Sequence, residues 1–79
     1  MKITVKLYGT LSHPFPGYQH SQGLEIEISD GATVKDLLTL LEISESRKAV
    51  VTIEGRIVKA EDKMGEGDHV QVFEAIHGG

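Results

Sequence analysis

The chain has 79 residues, of which 39% are hydrophobic and 25% charged, a balance typical of a globular domain and unlike that of a disordered chain. Eight Lys and Arg against twelve Asp and Glu give a net charge of −4, which argues against a nucleic-acid surface and favours a basic protein partner. The sequence contains no cysteine, which excludes a disulfide framework, a thiolate metal site and a thiol nucleophile.

A chain of this length predicts one domain, residues 1–79, near the lower limit at which a chain buries a self-sufficient core. No apolar run is long enough to cross a membrane, and Met1 begins a strand rather than a signal peptide. We therefore expect a cytoplasmic protein whose partners include no membrane and no nucleic acid.

The first two predicted elements are strands. Apolar and polar residues alternate over residues 2–8, the period-two pattern of a half-buried strand, and Gly9 ends the run. A second alternation covers residues 24–29, with glutamates at the outward positions, and Asp30-Gly31 is a turn signal that ends it. The outward glutamates of the second strand can face the outward lysines of the first across an antiparallel pair.

One helix follows. Thr33 is a suitable N-cap, and Asp36 three residues later makes a capping box with Asp in place of Glu. The apolar residues recur at i, i+3, i+4 and i+7 and form one stripe on a helix that extends to about Glu42: Val34, Leu37, Leu38 and Leu41. We expect the three leucines of the stripe to be buried against the strands, because a helix this short is marginal alone.

The second half of the chain predicts further strands. Residues 49–53 form a short β-branched run that Glu54-Gly55 interrupts and residues 57–58 resume. Residues 59–67 are polar and predict a loop with at most one helical turn, anchored in the core by Met64. In the last strand Val70 and Val72 face inward, with the outward positions at Gln71, Phe73 and Ala75.

This element order predicts an α+β fold, a mixed sheet of four to five strands with one main helix packed on one face. The first and last strands are rich in β-branched residues, as buried central strands are. We expect them to lie side by side and parallel in the middle of the sheet.

The sequence ends on Gly78-Gly79, directly after the last predicted strand. Two residues without a Cβ can lie extended in a slot too narrow for any other dipeptide. An α-carboxyl group has a pKa of roughly 3.5, so at neutral pH it is an anion and a competent oxygen nucleophile. The pattern suggests a carboxylate that reacts inside a partner's active site, although the dipeptide alone is more often a flexible end without a function.

The chain resembles the MoaD/ThiS family of ubiquitin-like sulfur carriers. The resemblance covers nearly the whole chain and rests on five segments in order: residues 2–8, residues 30–34 with Leu37-Leu38, residues 50–55, the Gly67-Asp68-x-Val70-x-Val72-Phe73 run, and Gly78-Gly79. It implies the β-grasp fold.

The resemblance also implies a function. A partner adenylating enzyme, similar to ubiquitin-activating enzymes, uses ATP to activate the carboxylate of Gly79, and a sulfur donor converts it to a thiocarboxylate. Gly78 and Gly79 are then the reacting end of a carrier that is not itself an enzyme and holds no cofactor. The acceptor is similar either to the large subunit of molybdopterin synthase, with this chain as the small subunit, or to thiazole synthase.

The sequence departs from the family pattern at two positions, which bear on the biosynthetic pathway that receives the sulfur rather than on membership of the family. Glu54 stands where the family commonly has Asn, and His77 precedes the diglycine where a small residue is common. The long first connection, residues 10–22, and the opening residues 5–8 favour the molybdopterin branch over the thiazole branch. A protein modifier joined to target lysines through Gly79, and a β-grasp binding module with incidental glycines, remain alternatives.

Outward residues near the tail predict a partner-binding patch. Phe73, Ile76 and Tyr8 supply its apolar part, and His77 lies beside the diglycine. In the alternative interpretation, residues 15–18 cover Phe73 in the free protein. The four scattered histidines lack the spacing of zinc ligands, so we expect no metal site.

Overall fold

Five strands and one α-helix make up the fold in the computed structural model, which describes residues 1–44 and 47–74. They are β1 (Lys2–Leu7), β2 (Leu24–Glu27), α1 (Val34–Leu40), β3 (Val50–Ile53), β4 (Arg56–Val58) and β5 (His69–Phe73). The strands form a single mixed sheet in the order β2-β1-β5-β3-β4. The predicted α+β class is confirmed.

The first and last strands form the centre of the sheet. β1 and β5 run parallel, with Val5 opposite Val70 and Leu7 opposite Val72, and all four side chains are buried. The outer neighbours, β2 on β1 and β3 on β5, are antiparallel. The expected pairing of surface charges is present on β1 and β2, where Lys2 Nζ lies 3.6 Å from Glu25 Oε2.

Helix α1 begins at the predicted capping box. The backbone N–H of Asp36 donates to Thr33 Oγ1 at 3.2 Å, and the N–H of Thr33 donates to Asp36 Oδ2 at 2.9 Å. The α-helix ends at Leu40, and Leu41 is its C-cap, so it stops short of the predicted Glu42. Glu42 has a φ of 59°, which ends the right-handed helix.

The prediction that Leu38 is buried with its neighbours is wrong. Leu37 and Leu41 are buried, whereas Leu38 is only half-buried and packs at the margin of the core. Successive residues of a helix point about 100° apart around its axis. In the seven-residue helix α1, the buried face is centred on Leu37, so Leu38 lies at the edge of that face.

The core lies between the sheet and α1. Its buried members come from β1, β3, β5, the helix and four connections: Ile3, Val5, Leu7, Leu11, Ala32, Val34, Leu37, Leu41, Ile43, Val51, Ile53, Met64, Val70 and Val72. Met64 anchors the 59–67 connection as predicted, but residues 59–67 contain no helical turn. Instead Lys63 makes an isolated β-bridge with Thr33 at the helix N-terminus.

The first long connection is not structureless. It begins with a 3₁₀ helix, Gly9–Ser12, whose Leu11 is only 2% exposed. Phe15 and Tyr18 pack against the core further along. A single buried leucine therefore fixes the start of a segment that the sequence predicts as loop.

No helix within the described part of the chain is long and apolar enough to cross a membrane.

Candidate functional site

The strand that leads to the diglycine lies in the middle of the sheet. β5 pairs with β1 on one side and β3 on the other, and its last residue, Phe73, is in register with Val50. On the β1 side, the N–H of Tyr8 donates to the carbonyl oxygen of Val72 at 3.0 Å. The strand that precedes the diglycine therefore ends between two paired strands, next to the end of β1.

Two aromatic rings lie at this point. Tyr8 and Phe73 stack with their centroids 4.3 Å apart and their planes 23° from parallel. Both residues are half-buried, so part of the stack is accessible to solvent. A stacked pair of this kind presents a rigid apolar surface at little cost in conformational entropy.

The long connection meets the stack through a histidine. His20 lies edge-on to Tyr8, with centroids 4.6 Å apart and planes at 79°. Tyr18 fastens the same connection to β1, because its hydroxyl accepts from the N–H of Leu7 at 2.8 Å and donates to that residue's carbonyl oxygen at 3.2 Å. The aromatic contact between the connection and this surface is therefore made by His20 on Tyr8, outside the 15–18 segment that the alternative interpretation placed over Phe73, and Phe73 stays half-buried.

Directly after Phe73, the carboxylate of Glu74 is held by two other segments. Glu74 Oε1 accepts from the backbone N–H of Thr10 and, at 2.6 Å, from its hydroxyl. Arg47 Nη2 lies 3.3 Å from Glu74 Oε2 and donates to Thr10 Oγ1 at 3.0 Å. The network links the first connection, the segment after α1 and the first residue beyond β5.

These bonds change the acidity of Glu74. The hydroxyl and then the backbone N–H of Thr10 donate to the carboxylate and hold the pKa of Glu74 below its ordinary value of 4.5, and Arg47 acts in the same direction. The group is ionised at neutral pH, so the network is a charge-assisted one there.

The structure brings together some of the predicted site residues. Tyr8 and Phe73 are adjacent, as the patch requires. Ile76, His77, Gly78 and Gly79 lie outside the described residues.

Sequence reasoning missed the network of Thr10, Arg47 and Glu74. No spacing rule links residues 37 and 27 positions apart. The one weak signal in the sequence was the glycine at position 9. In the structure its missing side chain leaves room for the Glu74 carboxylate, and its φ is 66°.

The histidines do not form a metal site in the described part of the chain, where no three His, Asp or Glu side chains converge as ligands. His69, the first residue of β5, instead lies against the β3–β4 turn, with its Nδ1 3.6 Å from Glu54 Oε1.

The comparison with protein families gives one match. The model of the ThiS family matches residues 13–79, which is more than half of the chain. No curated protein sequence matches the chain.

Several solved structures have the same fold. A putative molybdopterin converting factor subunit 1 from Pyrococcus furiosus is 26% identical, with a TM-score of 0.72 over 96% of this chain and 99% of that one. Small archaeal modifier protein 1 from Haloferax volcanii is 20% identical, with a TM-score of 0.72 over 95% of this chain and 98% of that one.

A further match is a molybdopterin-converting factor from Helicobacter pylori, solved as a complex of its subunits 1 and 2. It is 16% identical, with a TM-score of 0.60 over the full length of both chains. The five-stranded mixed sheet with one helix is thus the β-grasp arrangement of these ubiquitin-like proteins.

Proposed function

This chain belongs to the ThiS family, and on that premise we propose that it is a sulfur carrier that acts through the carboxylate of Gly79. The observation that carries the proposal is that the family match extends to Gly79, beyond a β-grasp body whose central strand leads toward that residue. The protein is a carrier and co-substrate, and the catalytic groups belong to its partners.

The proposed chemistry has two steps. An oxygen of the Gly79 carboxylate attacks the α-phosphate of ATP on the adenylating enzyme, and pyrophosphate leaves. Sulfide-level sulfur (HS⁻) delivered by the sulfur donor then attacks the acyl carbon of the acyl-adenylate, AMP leaves, and loss of the remaining proton from the sulfur gives the thiocarboxylate. Adenylation is needed because a carboxylate is a poor electrophile, and AMP is a far better leaving group than an oxide.

The body of the protein suits this role. A carrier presents a small reactive end on a rigid support, and β5 is paired on both sides up to Val72 and with β3 at Phe73. Gly79 lies six residues beyond Phe73 in the sequence, so an extended tail reaches about 20 Å from the sheet. That length allows the tail to enter an active site while the body stays outside.

We propose that the Tyr8–Phe73 stack is the apolar contact for the adenylating enzyme, together with Ile76 and His77. The stack is half-exposed and lies where the tail begins, so it meets any partner whose active site the tail enters. A rigid aromatic pair is also a common anchor at interfaces.

For the pathway, we propose molybdopterin biosynthesis, with a large synthase subunit as the acceptor. The 26% identity with the Pyrococcus furiosus protein supports this choice. The thiazole pathway is the alternative destination for the sulfur.

A ubiquitin-like modifier is a second candidate, because the same acyl-adenylate at Gly79 can react with a lysine amine. The Haloferax volcanii modifier protein shares the fold, which is compatible with this function.

Intact mass separates these functions. After incubation with ATP, the cognate adenylating enzyme and a sulfur donor, a carrier gains about 16 Da because sulfur replaces oxygen. A modifier appears instead as a conjugate with a target protein, and a plain binding module keeps its mass.

Deleting Gly79 provides the control. The shortened chain should not be activated, and its melting temperature should stay nearly unchanged, because a glycine has no side chain to contribute to the core. A gain of mass in the shortened chain, or a large drop in its melting temperature, would contradict the assignment of Gly79 as the reacting group.

A further inference from the structure

The side chain of Glu74 ties the first residue beyond β5 to two segments that are distant in sequence. Thr10 contributes its backbone N–H and its hydroxyl, and Arg47 contributes one guanidinium nitrogen that reaches both Thr10 and Glu74. Each of the three residues contacts the other two. Glu74 is therefore fixed in position although it lies outside the β5 ladder, whose last pair is Phe73 with Val50.

Gly9 makes this arrangement sterically possible. A Cβ at Gly9 would overlap the Glu74 carboxylate, and its φ of 66° is in the left-handed region that disfavours other residues. The 3₁₀ helix that starts at Gly9 then places the N–H of Thr10 beside Glu74 Oε1.

The network does not contribute much to stability. The side chains of Arg47 and Glu74 are 42% and 32% exposed, and ion pairs in contact with water contribute little to the free energy of unfolding. What the three residues determine instead is the position of Glu74, the first residue beyond β5.

We propose that Thr10, Arg47 and Glu74 form a clamp, the tail clamp, that sets the direction in which residues 75–79 leave the body and so positions Gly79 for adenylation. This inference rests on the proposed function. The three are positioning residues, since the reaction takes place at Gly79, five residues beyond Glu74 in the sequence. An unclamped tail must be oriented when the carrier binds, which costs conformational entropy at binding and not in the chemical step.

Three single variants, each removing one member, test the clamp: Thr10→Val, Arg47→Ala and Glu74→Ala. In steady-state adenylation, each variant should raise the KM for the carrier about three- to tenfold and leave kcat unchanged. The free energy that corresponds to this rise is less than the full cost of ordering the backbone of one residue. The double variant Thr10→Val/Arg47→Ala should be no worse than either single variant, since one broken member already releases the tail.

Arg56→Ala and Glu61→Ala are the matched controls. Both residues are exposed, and neither side chain has a hydrogen bond or an ion pair to another described residue. They change the net charge as Arg47→Ala and Glu74→Ala do, but they should leave KM unchanged. An equal rise of KM in the controls would mean that only overall charge matters, and the clamp would be wrong.

The KM pattern also separates the clamp from a direct contact with the enzyme. A rise in the Glu74 variant alone would mean that Glu74 touches the enzyme, and no rise in any variant would mean that tail direction is irrelevant; either result overturns the clamp.

NMR relaxation gives a readout that does not depend on adenylation. The backbone order parameter at Glu74 should approach the rigid value of about 0.85 in the unmodified protein and fall toward about 0.6 in each clamp variant. If the protein without substitutions is never adenylated while the order parameter at Glu74 still falls in the clamp variants, the proposed function fails. In that case the role of the three residues in holding the start of the tail stands. A low order parameter at Glu74 in the unmodified protein would overturn the clamp itself.

Discussion

The interior of the sheet and the surface at the end of β5 are built from different interactions. On β1 and β5 the inward side chains are at most 1% exposed and pack in a parallel pair against α1. At the end of the same strands, Tyr8 and Phe73 are half-buried and the tail clamp consists of polar groups that water reaches.

The two regions therefore respond to different changes. Apolar burial contributes about 25 cal/mol per Å² and dominates the free energy of unfolding, so the interior determines whether the chain folds. Exposed hydrogen bonds contribute little to that free energy, and they determine geometry instead. Substitutions in the interior should therefore change the stability and leave partner binding by the folded protein nearly unchanged. Substitutions at the end of β5 should change partner binding and leave the stability nearly unchanged.

The largest expected effect is on stability, at Leu37. This side chain has no exposed surface, so Leu37→Ala should lower the free energy of unfolding by about 2–5 kcal/mol, as core truncations do. Leu40 is the matched control, because it lies on the same helix but is 54% exposed, and Leu40→Ala should change the stability by less than about 0.5 kcal/mol. Urea denaturation of the three proteins measures both values.

Carrier activity in the Leu37 variant should follow its folded fraction. Cooling or an osmolyte that restores the fold should restore adenylation as well. The separation of the two regions fails if Leu37→Ala remains folded yet is not adenylated, because α1 would then be part of the partner-binding surface.

The regular parts of the molecule could be predicted from the sequence. Alternation of apolar and polar residues located β1, β2 and β5, and Thr33 with Asp36 located the start of α1. These signals succeed because they depend on neighbouring residues. The parallel β1–β5 pair followed from the need to bury two β-branched strands.

The rest depends on contacts between residues distant in sequence. The sequence predicted equal burial for three leucines, but the curvature of the helix surface leaves Leu38 half-exposed. The tail clamp joins residues from three separate segments, and their types, Thr, Arg and Glu, are common on any surface. No local pattern marks such a network before the sheet has brought its parts together.

A smaller effect, on binding, is expected at Phe73. Phe73→Ala should weaken binding of the adenylating enzyme by about 1–3 kcal/mol, because a stacked aromatic at the start of the tail would be covered in the complex. Phe15→Ala is the control, since Phe15 is half-buried and packs against the core but is not part of the Tyr8–Phe73 stack. It should lower the stability without weakening binding, as titration calorimetry and thermal denaturation can show. If Phe73→Ala only destabilises the protein, the stack belongs to the interior region and is not a docking surface.

The smallest expected effect is the pH dependence of the tail clamp. Bonds from Thr10, and then Arg47, favour the ionised form of Glu74, so its pKa in the folded protein is below 4.5. Because the folded pKa is the lower one, the clamp is fully formed above about pH 4.5 and is lost as the pH falls through the folded value.

NMR titration of the Glu74 carboxyl carbon and the Thr10 amide should therefore show one shared transition below pH 4.5. The hydroxyl of Thr10 and the guanidinium of Arg47 both lower the pKa of Glu74, so Thr10→Val and Arg47→Ala should each raise it toward its ordinary value. A transition that neither variant moves would show that the carboxylate is not held by these two residues.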